Sequence, residues 1–286
     1  MRAFTYERPT TLAQAMDLLE AHGPAARPLA GGTDLIIRLW DGTVRATTVV
    51  DLKRIPELRP GIREEAGRLT IGATTVMTDI AADELVRRHF VALAEAATVV
   101  GSVQIRNRAT LGGNICNASP AADTAPPLLV YGADVVVAGP GGIRRVPITT
   151  FFIRSGETSL RQGELVAWIE LPLPPRPTGA VHLRRTRRRG HDLAAVTMSC
   201  VVDIMGVTRI AYGSVGPRPT LFVDETGILA DPAATDDAKA AVLEGMFATA
   251  SPSPRSMRSS PEYRLAMLRV LGRRALGIAY DRLAPG

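Results

Sequence analysis

Apolar residues recur at helical spacing near the start of the chain, where Leu12, Ala15, Met16 and Leu19 share one face. Thr11-Leu12-Ala13-Gln14 has the form of a capping box, and Gly23 stands where a left-handed glycine stops a helix. Extended stretches are expected from Arg27 to Ala30 and from Thr47 to Leu52, giving a small α/β unit. A second unit begins near Leu58. Arg68 to Ala73 reads as a strand, and the alanine-rich segment from Thr78 to Val100 as helix, broken around Arg88-His89. Ala133 to Ala138 and Glu164 to Leu171 are rich in β-formers, with Gly139-Pro140-Gly141-Gly142 as punctuation between them.

Leu171-Pro172-Leu173-Pro174-Pro175-Arg176-Pro177 holds four prolines in seven residues, which predicts a stiff, extended connector. Beyond it, Ala180 to Arg187 and Ala194 to Met205 are expected to pair around a turn near Arg189-Gly190, with Val207 to Ser214 as a third strand. Helices are expected from Thr235 to Ala248 and from about Ser260 to Leu283. In the latter Tyr263, Met267, Val270, Leu271 and Ile278 form a stripe opposite Arg269, Arg273 and Arg274. The pattern predicts an α+β protein without internal repeats. Residues 1–176 form a first domain with lobes of about 1–57 and 58–176. Residues 177–286 form a smaller α+β domain on a three-stranded antiparallel sheet with helices.

Composition narrows the class. The 286 residues are 46% hydrophobic and 22% charged, as expected for a soluble globular protein with a sizeable core. No run of about 18 apolar residues predicts a membrane span. The opening Met1-Arg2-Ala3-Phe4-Thr5-Tyr6-Glu7 lacks the apolar stretch of a signal peptide. Two cysteines, Cys116 and Cys200, cannot build a disulfide framework, so a cytoplasmic protein with free thiols is expected. The net charge of +6 is carried by arginine, partly in Arg184-Arg185-Thr186-Arg187-Arg188-Arg189. Aromatics are only 5% and none lies in that run, so a base-stacking platform is missing and nucleic-acid binding is not expected. Such a surface also suits anionic cofactors or acidic partners.

Two double-glycine segments carry the candidate chemistry: Ala30-Gly31-Gly32-Thr33-Asp34 and Thr110-Leu111-Gly112-Gly113-Asn114. Glycine reaches positive φ without strain, and successive N–H groups in such a turn form a nest for phosphate oxygens. Two of these suggest a diphosphate held from two sides, which we read as FAD. Neither segment matches a P-loop or the G-x-G-x-x-G fingerprint. His22, His89, His182 and His191 are scattered, without metal-ligand spacing, and read as surface or helix-end residues. Asp123 is placed to accept hydrogen bonds from sugar hydroxyls, or else to cap a helix ahead of Thr124. No acid–base constellation is apparent, as expected where a flavin supplies the electron chemistry itself.

At these residues the chain resembles the FAD-binding medium subunit of the molybdenum hydroxylases, the family of xanthine dehydrogenase and carbon monoxide dehydrogenase. The resemblance rests on Phe4-x-Tyr6-x-x-Pro9-x-x-Leu12, on Ala30-Gly31-Gly32-Thr33-Asp34-Leu35, and on Gln104 through Ile115 continuing to Ser119-Pro120-Ala121-Ala122-Asp123. Ser260-Pro261-Glu262-Tyr263-Arg264 leading into Arg273-Arg274-Ala275-Leu276 is similar to the family's C-terminal domain. The resemblance implies a two-lobed FAD-binding domain of the vanillyl-alcohol-oxidase-like type. By analogy Ala30, Gly31, Gly32, Thr33, Asp34 and Leu35 wrap the diphosphate, with Leu29 and Arg27 just upstream. Thr110, Gly112, Gly113 and Asn114 form the second wall, with Gly101 also among the cofactor-binding residues; Asp123 matches a carboxylate near the FAD, Val166 an apolar contact, and Arg184 stands where xanthine oxidase carries a lysine close to the flavin.

Val100 departs from the animal enzymes, which place an aromatic there. No iron–sulfur or NAD motif is present. The family further implies a large molybdopterin subunit and a small [2Fe–2S] subunit as partners, as a dimer of heterotrimers, with NAD among the possible acceptors. No catalytic or metal-binding residue is expected on this chain. Two alternatives stand beside this reading: a self-sufficient FAD-dependent oxidase, and a basic nucleic-acid-binding or scaffold protein.

Overall fold

The computed structural model describes residues 2–188 and 190–283. Arg189, part of the expected turn and arginine run, lies outside the described residues, as does Met1. The first lobe comprises β1 (Thr5–Glu7), α1 (Leu12–His22), β2 (Ala26–Leu29), α2 (Leu35–Trp40) and β3 (Thr48–Asp51). Its strands form a parallel sheet in the order β1-β3-β2. Strand β1, only three residues long and largely exposed, was too short to show in the sequence pattern. The Thr11 hydroxyl caps α1 by accepting the Gln14 N–H at 3.2 Å. The reciprocal half of the box is displaced, because the Gln14 side chain takes the N–H of Thr10, not of Thr11.

The second lobe runs through β4 (Ile62–Glu65), β5 (Arg68–Gly72), α3 (Met77–Ala82), α4 (Glu84–His89), α5 (Val91–Val99), α6 (Val103–Arg106), α7 (Leu111–Cys116) and α8 (Ala125–Val130). It continues with β6 (Asp134–Gly139), β7 (Gly142–Pro147), α9 (Ile148–Phe151), β8 (Phe152–Arg154), β9 (Glu157–Thr158) and β10 (Leu165–Pro172). A five-stranded antiparallel sheet of order β4-β5-β10-β6-β7 forms its frame. The glycine–proline segment at 139–142 proves to be the bend of the β6–β7 hairpin. Ala15 and Leu19 of α1 pack with Ala138, Leu165 and Ala167, which joins the lobes through a shared apolar cluster.

Across the second sheet Glu170 is almost fully buried and receives Arg145 through two bonds of 2.9 and 3.2 Å. Those bonds hold its carboxyl below the usual glutamate range, with help from Trp168 and Arg68 and against burial, which pushes it up. A lowered folded pKa means stability that is complete above the unfolded value and is lost as pH falls through the folded one. Glu164, bonded to Arg144, has the same sign. Urea unfolding of Glu170→Gln should therefore depend less steeply on pH below about 4.3, the ordinary glutamate value, than that of the parent. An identical acid slope would contradict the assignment.

After an irregular stretch at 173–177 come β11 (Thr178–Arg185), β12 (Val196–Asp203), β13 (Thr208–Gly213), β14 (Thr220–Asp224), α10 (Asp236–Phe247) and α11 (Pro261–Leu283). The C-terminal sheet is an antiparallel meander of four strands, not the expected three. The addition, β14, is a short and half-exposed edge strand following Gly216-Pro217-Arg218-Pro219, so its sequence reads as loop.

Alternation along this sheet separates two apolar faces. Val181, Val196, Met198, Cys200, Ile210 and Tyr212 pack with the helices α10 and α11. Ala180, Val201 and Ala211 join the core of the second lobe, against α5 and α8. The face that α11 buries is Arg264, Leu268, Leu271, Gly272, Ala275, Leu276 and Ala279, so the expected stripe is rotated and only its Leu271 is buried. Small residues define the close side: a Cβ on Gly179 would lie 1.7 Å from the carbonyl oxygen of Ala279. Among the described residues no helix is long and apolar enough to cross a membrane.

Candidate functional site

The first glycine segment connects β2 to α2. Gly32 has φ +79°, a left-handed conformation that suits glycine. Among the described residues, the backbone N–H groups of Gly31, Gly32, Thr33 and Asp34 donate to no protein acceptor. Four consecutive unpaired amides on a half-exposed turn are a ready receptor for anionic oxygens. Arg27, half-buried on β2, forms no ion pair among the described residues and adds a free cation upstream. The side chains of Leu29 and Leu35 belong to the first-lobe core, so these two positions offer backbone only.

The second segment is built differently. Thr110 caps α7, and Gly112 and Gly113 lie in the first helical turn, not in an open nest. The Leu111 N–H donates to Thr75, that of Gly112 to Ala73, and that of Gly113 to the Thr110 hydroxyl at 3.1 Å. Gly112 is required for packing, since a Cβ there would lie 2.7 Å from the Ala73 carbonyl oxygen. Gly113 is exposed, and a Cβ would meet only the Thr110 hydroxyl within 4 Å. This wall therefore offers a bare surface and the Asn114 side chain, while its amides are already committed.

The two segments touch through backbone. A Cβ on Gly31 would lie 1.9 Å from the Arg108 carbonyl oxygen and 3.2 Å from Ala109 Cα. Arg108 and Ala109 are in turn tied to Ile105, and the Ala109 carbonyl accepts the Met77 N–H at 2.9 Å. Gly101, at φ +54° ahead of α6, makes the bend that starts this stretch, and the Val100 carbonyl beside it accepts from Arg106.

Asn114 leads to the third part of the site, because its side-chain oxygen accepts the Thr124 hydroxyl at 2.6 Å. Next to Thr124, Asp123 is buried. It caps no helix; its oxygens accept from Arg184 Nη1 at 2.8 Å and from the Thr197 hydroxyl at 3.0 Å. The carboxylate expected to face a sugar is thus engaged by β11 and β12, and the structure brings Asp123 and Arg184 together. Val166 is buried in the second-lobe core, beside a bulge of β10. The rest of the arginine run diverges: Arg185 donates to Tyr263 Oη at 2.8 Å, and Arg187 pairs with Asp192.

His182 is the residue that sequence reading misplaced. It is buried on β11, with Nδ1 3.0 Å from Ser199 Oγ and Nε2 3.4 Å from Thr197 Oγ1. The available signal was period two: His182 and Arg184 on one strand, and Thr197 and Ser199 on the next, share the face that Ala180 and Val201 bury. Burial pushes the thiols of Cys116 and Cys200 up to about 12, which keeps both protonated at neutral pH. Among the described residues no group of three His, Cys, Asp or Glu side chains gathers as a metal site would.

Comparison with known proteins gives a consistent picture. Residues 2–174 match the family described as the FAD binding domain in molybdopterin dehydrogenase, and residues 182–279 the CO dehydrogenase flavoprotein C-terminal domain. The chain is 34% identical to the putative xanthine dehydrogenase FAD-binding subunit of Escherichia coli, over 96% of this chain and 95% of that one. It is 33% identical to the carbon monoxide dehydrogenase medium chain of Hydrogenophaga pseudoflava, over 98% of each. The structure of the carbon monoxide dehydrogenase from Hydrogenophaga pseudoflava superposes with a TM-score of 0.91 at 32% identity, covering 99% of both chains. Quinoline 2-oxidoreductase from Pseudomonas putida gives 0.86 at 28% identity, covering 98% of both.

Proposed function

We propose that this chain, which belongs to the FAD-binding subunit family of the xanthine and carbon monoxide dehydrogenase-type molybdenum hydroxylases, relays electrons from [2Fe–2S] clusters on a partner to an external acceptor such as NAD. The partners in this reading are a large molybdopterin-binding subunit and a small iron–sulfur subunit, assembled in the cytoplasm as a dimer of heterotrimers. The chain divides near residue 176, so that 1–176 binds the cofactor and 177–286 closes over it.

One observation carries the placement of FAD: among the described residues the four amides between β2 and α2 are unpaired, and their turn is in backbone contact with the segment that enters α7. Gly31, Gly32, Thr33 and Asp34 would donate to the diphosphate, with Arg27 adding charge. Thr110, Gly113 and Asn114 would present the bare opposite wall. Bound there, FAD supplies the electron and hydride chemistry. Arg184 would then hold a positive charge beside the flavin, with only Nη1 of its guanidinium committed among the described residues, to Asp123.

The test is purification of the chain from its source with whatever accompanies it. A flavin spectrum, molybdenum and iron in the preparation, three bands on a denaturing gel and reduction of NAD by the substrate-reduced complex are expected. A solitary yellow chain that oxidises small alcohols by itself would favour the self-sufficient oxidase instead. Reduction of a quinone or cytochrome but not of NAD would remove NAD alone from the reading.

A further inference from the structure

The geometry points to His182 as a positioning residue for Arg184, acting through a directed chain of hydrogen bonds that crosses from β12 to the loop before α8. This rests on the reading above that places Arg184 beside the flavin.

The direction follows from donor and acceptor bookkeeping. Arg184 Nη1 donates to Asp123 Oδ2 at 2.8 Å, and the other oxygen of Asp123 faces the Thr197 hydroxyl as an acceptor. The single hydroxyl proton of Thr197 therefore goes to Asp123, across 3.0 Å. Towards His182 Nε2, 3.4 Å away, the Thr197 oxygen can then only accept. Nε2, which also lies 3.7 Å from Asp123 Oδ1, therefore donates, while Nδ1 meets the Ser199 hydroxyl at 3.0 Å. From His182 onward every link points one way, through Thr197 to Asp123, where Arg184 arrives from the other side.

The surroundings suit this role. The His182 and Asp123 side chains are 1% and 8% exposed, whereas that of Arg184 is 14% exposed. The backbone beneath the ring is fixed as well, because the His182 N–H donates to Glu95 on α5 at 2.8 Å, and Glu95 pairs with Arg282 of α11 at 2.7 Å. In such a dry site a chain of bonds fixes the carboxylate's rotation, and the carboxylate fixes the guanidinium. A cation held in one place stabilises negative charge acquired by a neighbouring group on reduction more than one that wanders does.

Redox titration of the flavin in the complex as purified tests this. His182→Met, which fills the space without bonding, should lower the two-electron potential by about 30 mV, the equivalent of a tenfold change in the oxidised-to-reduced equilibrium. Arg184→Gln should lower it further, and His182→Met added to Arg184→Gln should change nothing more, because both act through the same group. His182→Gln, which can donate and accept, should restore most of the native value. A native potential in His182→Met, or shifts that simply add, would overturn the relay while leaving Arg184 beside the flavin. A native potential in flavin-loaded Arg184→Gln would overturn both. Should His182→Met not fold, nitrogen NMR of the native ring decides: a proton on Nε2 is expected, and an Nε2 without one refutes the chain.

Discussion

Gly31→Ala is expected to yield a folded protein that has lost most of its FAD. The added carbon would sit 1.9 Å from the Arg108 carbonyl oxygen and 2.8 Å from its carbon, and neither is the movable end of a side chain. The opposing backbone cannot retreat easily, because Ala109 accepts from Met77 and Thr110 bridges Val76. The turn must therefore move outward and take its four free amides with it. A charge-assisted hydrogen bond contributes roughly 1.5–3 kcal/mol, so losing two weakens FAD by about a hundredfold to ten-thousandfold. The check is flavin retained after dilution or dialysis, beside circular dichroism for the fold. Gly245→Ala is the control: it lies in α10 with open space around the new carbon. It should keep its flavin and gain up to about 1 kcal/mol from helix propensity. Parent-like FAD affinity in Gly31→Ala would remove the contact between the two segments from any account of binding.

Asp123→Ala should be the most destabilising single change at the site. It leaves the Arg184 guanidinium, largely covered, without its carboxylate, and the Thr197 hydroxyl, fully buried, without its acceptor. Removing one partner of a buried pair costs about 3–5 kcal/mol. Urea unfolding should show that loss, and adding Arg184→Ala should recover part of it, because the stranded charge is then gone. A loss below about 1 kcal/mol, the range of an exposed pair, would mean that Asp123 does not tie β11 and β12 to the loop before α8.

Much of the scaffold was legible in the chain. Long elements with clear periodicity, such as α1, β5, β10, β12 and α10, fall within a few residues of their expected places, because local spacing alone determines them. What escaped was set by tertiary contact. The close face of α11 is marked by glycine and alanine, which carry no hydrophobic signal until a strand is seen pressing against them. The second glycine pair looks like the first in sequence, yet its amides are consumed by Ala73, Thr75 and Thr110, partners that only the fold brings near. Asp123 and Arg184 were both singled out, each for its own reason. That they meet, and that His182 stands behind them, depends on strand register across 61 residues of chain.

Strands β11 to β13 are covered on both faces, by helices on one and the second lobe on the other. Neither half of the molecule therefore owns a finished interior. A gene fragment ending at the proline-rich connector would encode a protein with a raft of alanines, leucines and valines where a neighbour should be, and would be sticky from the ribosome onward. Beyond the covalent bridge, the two halves are held by this common layer.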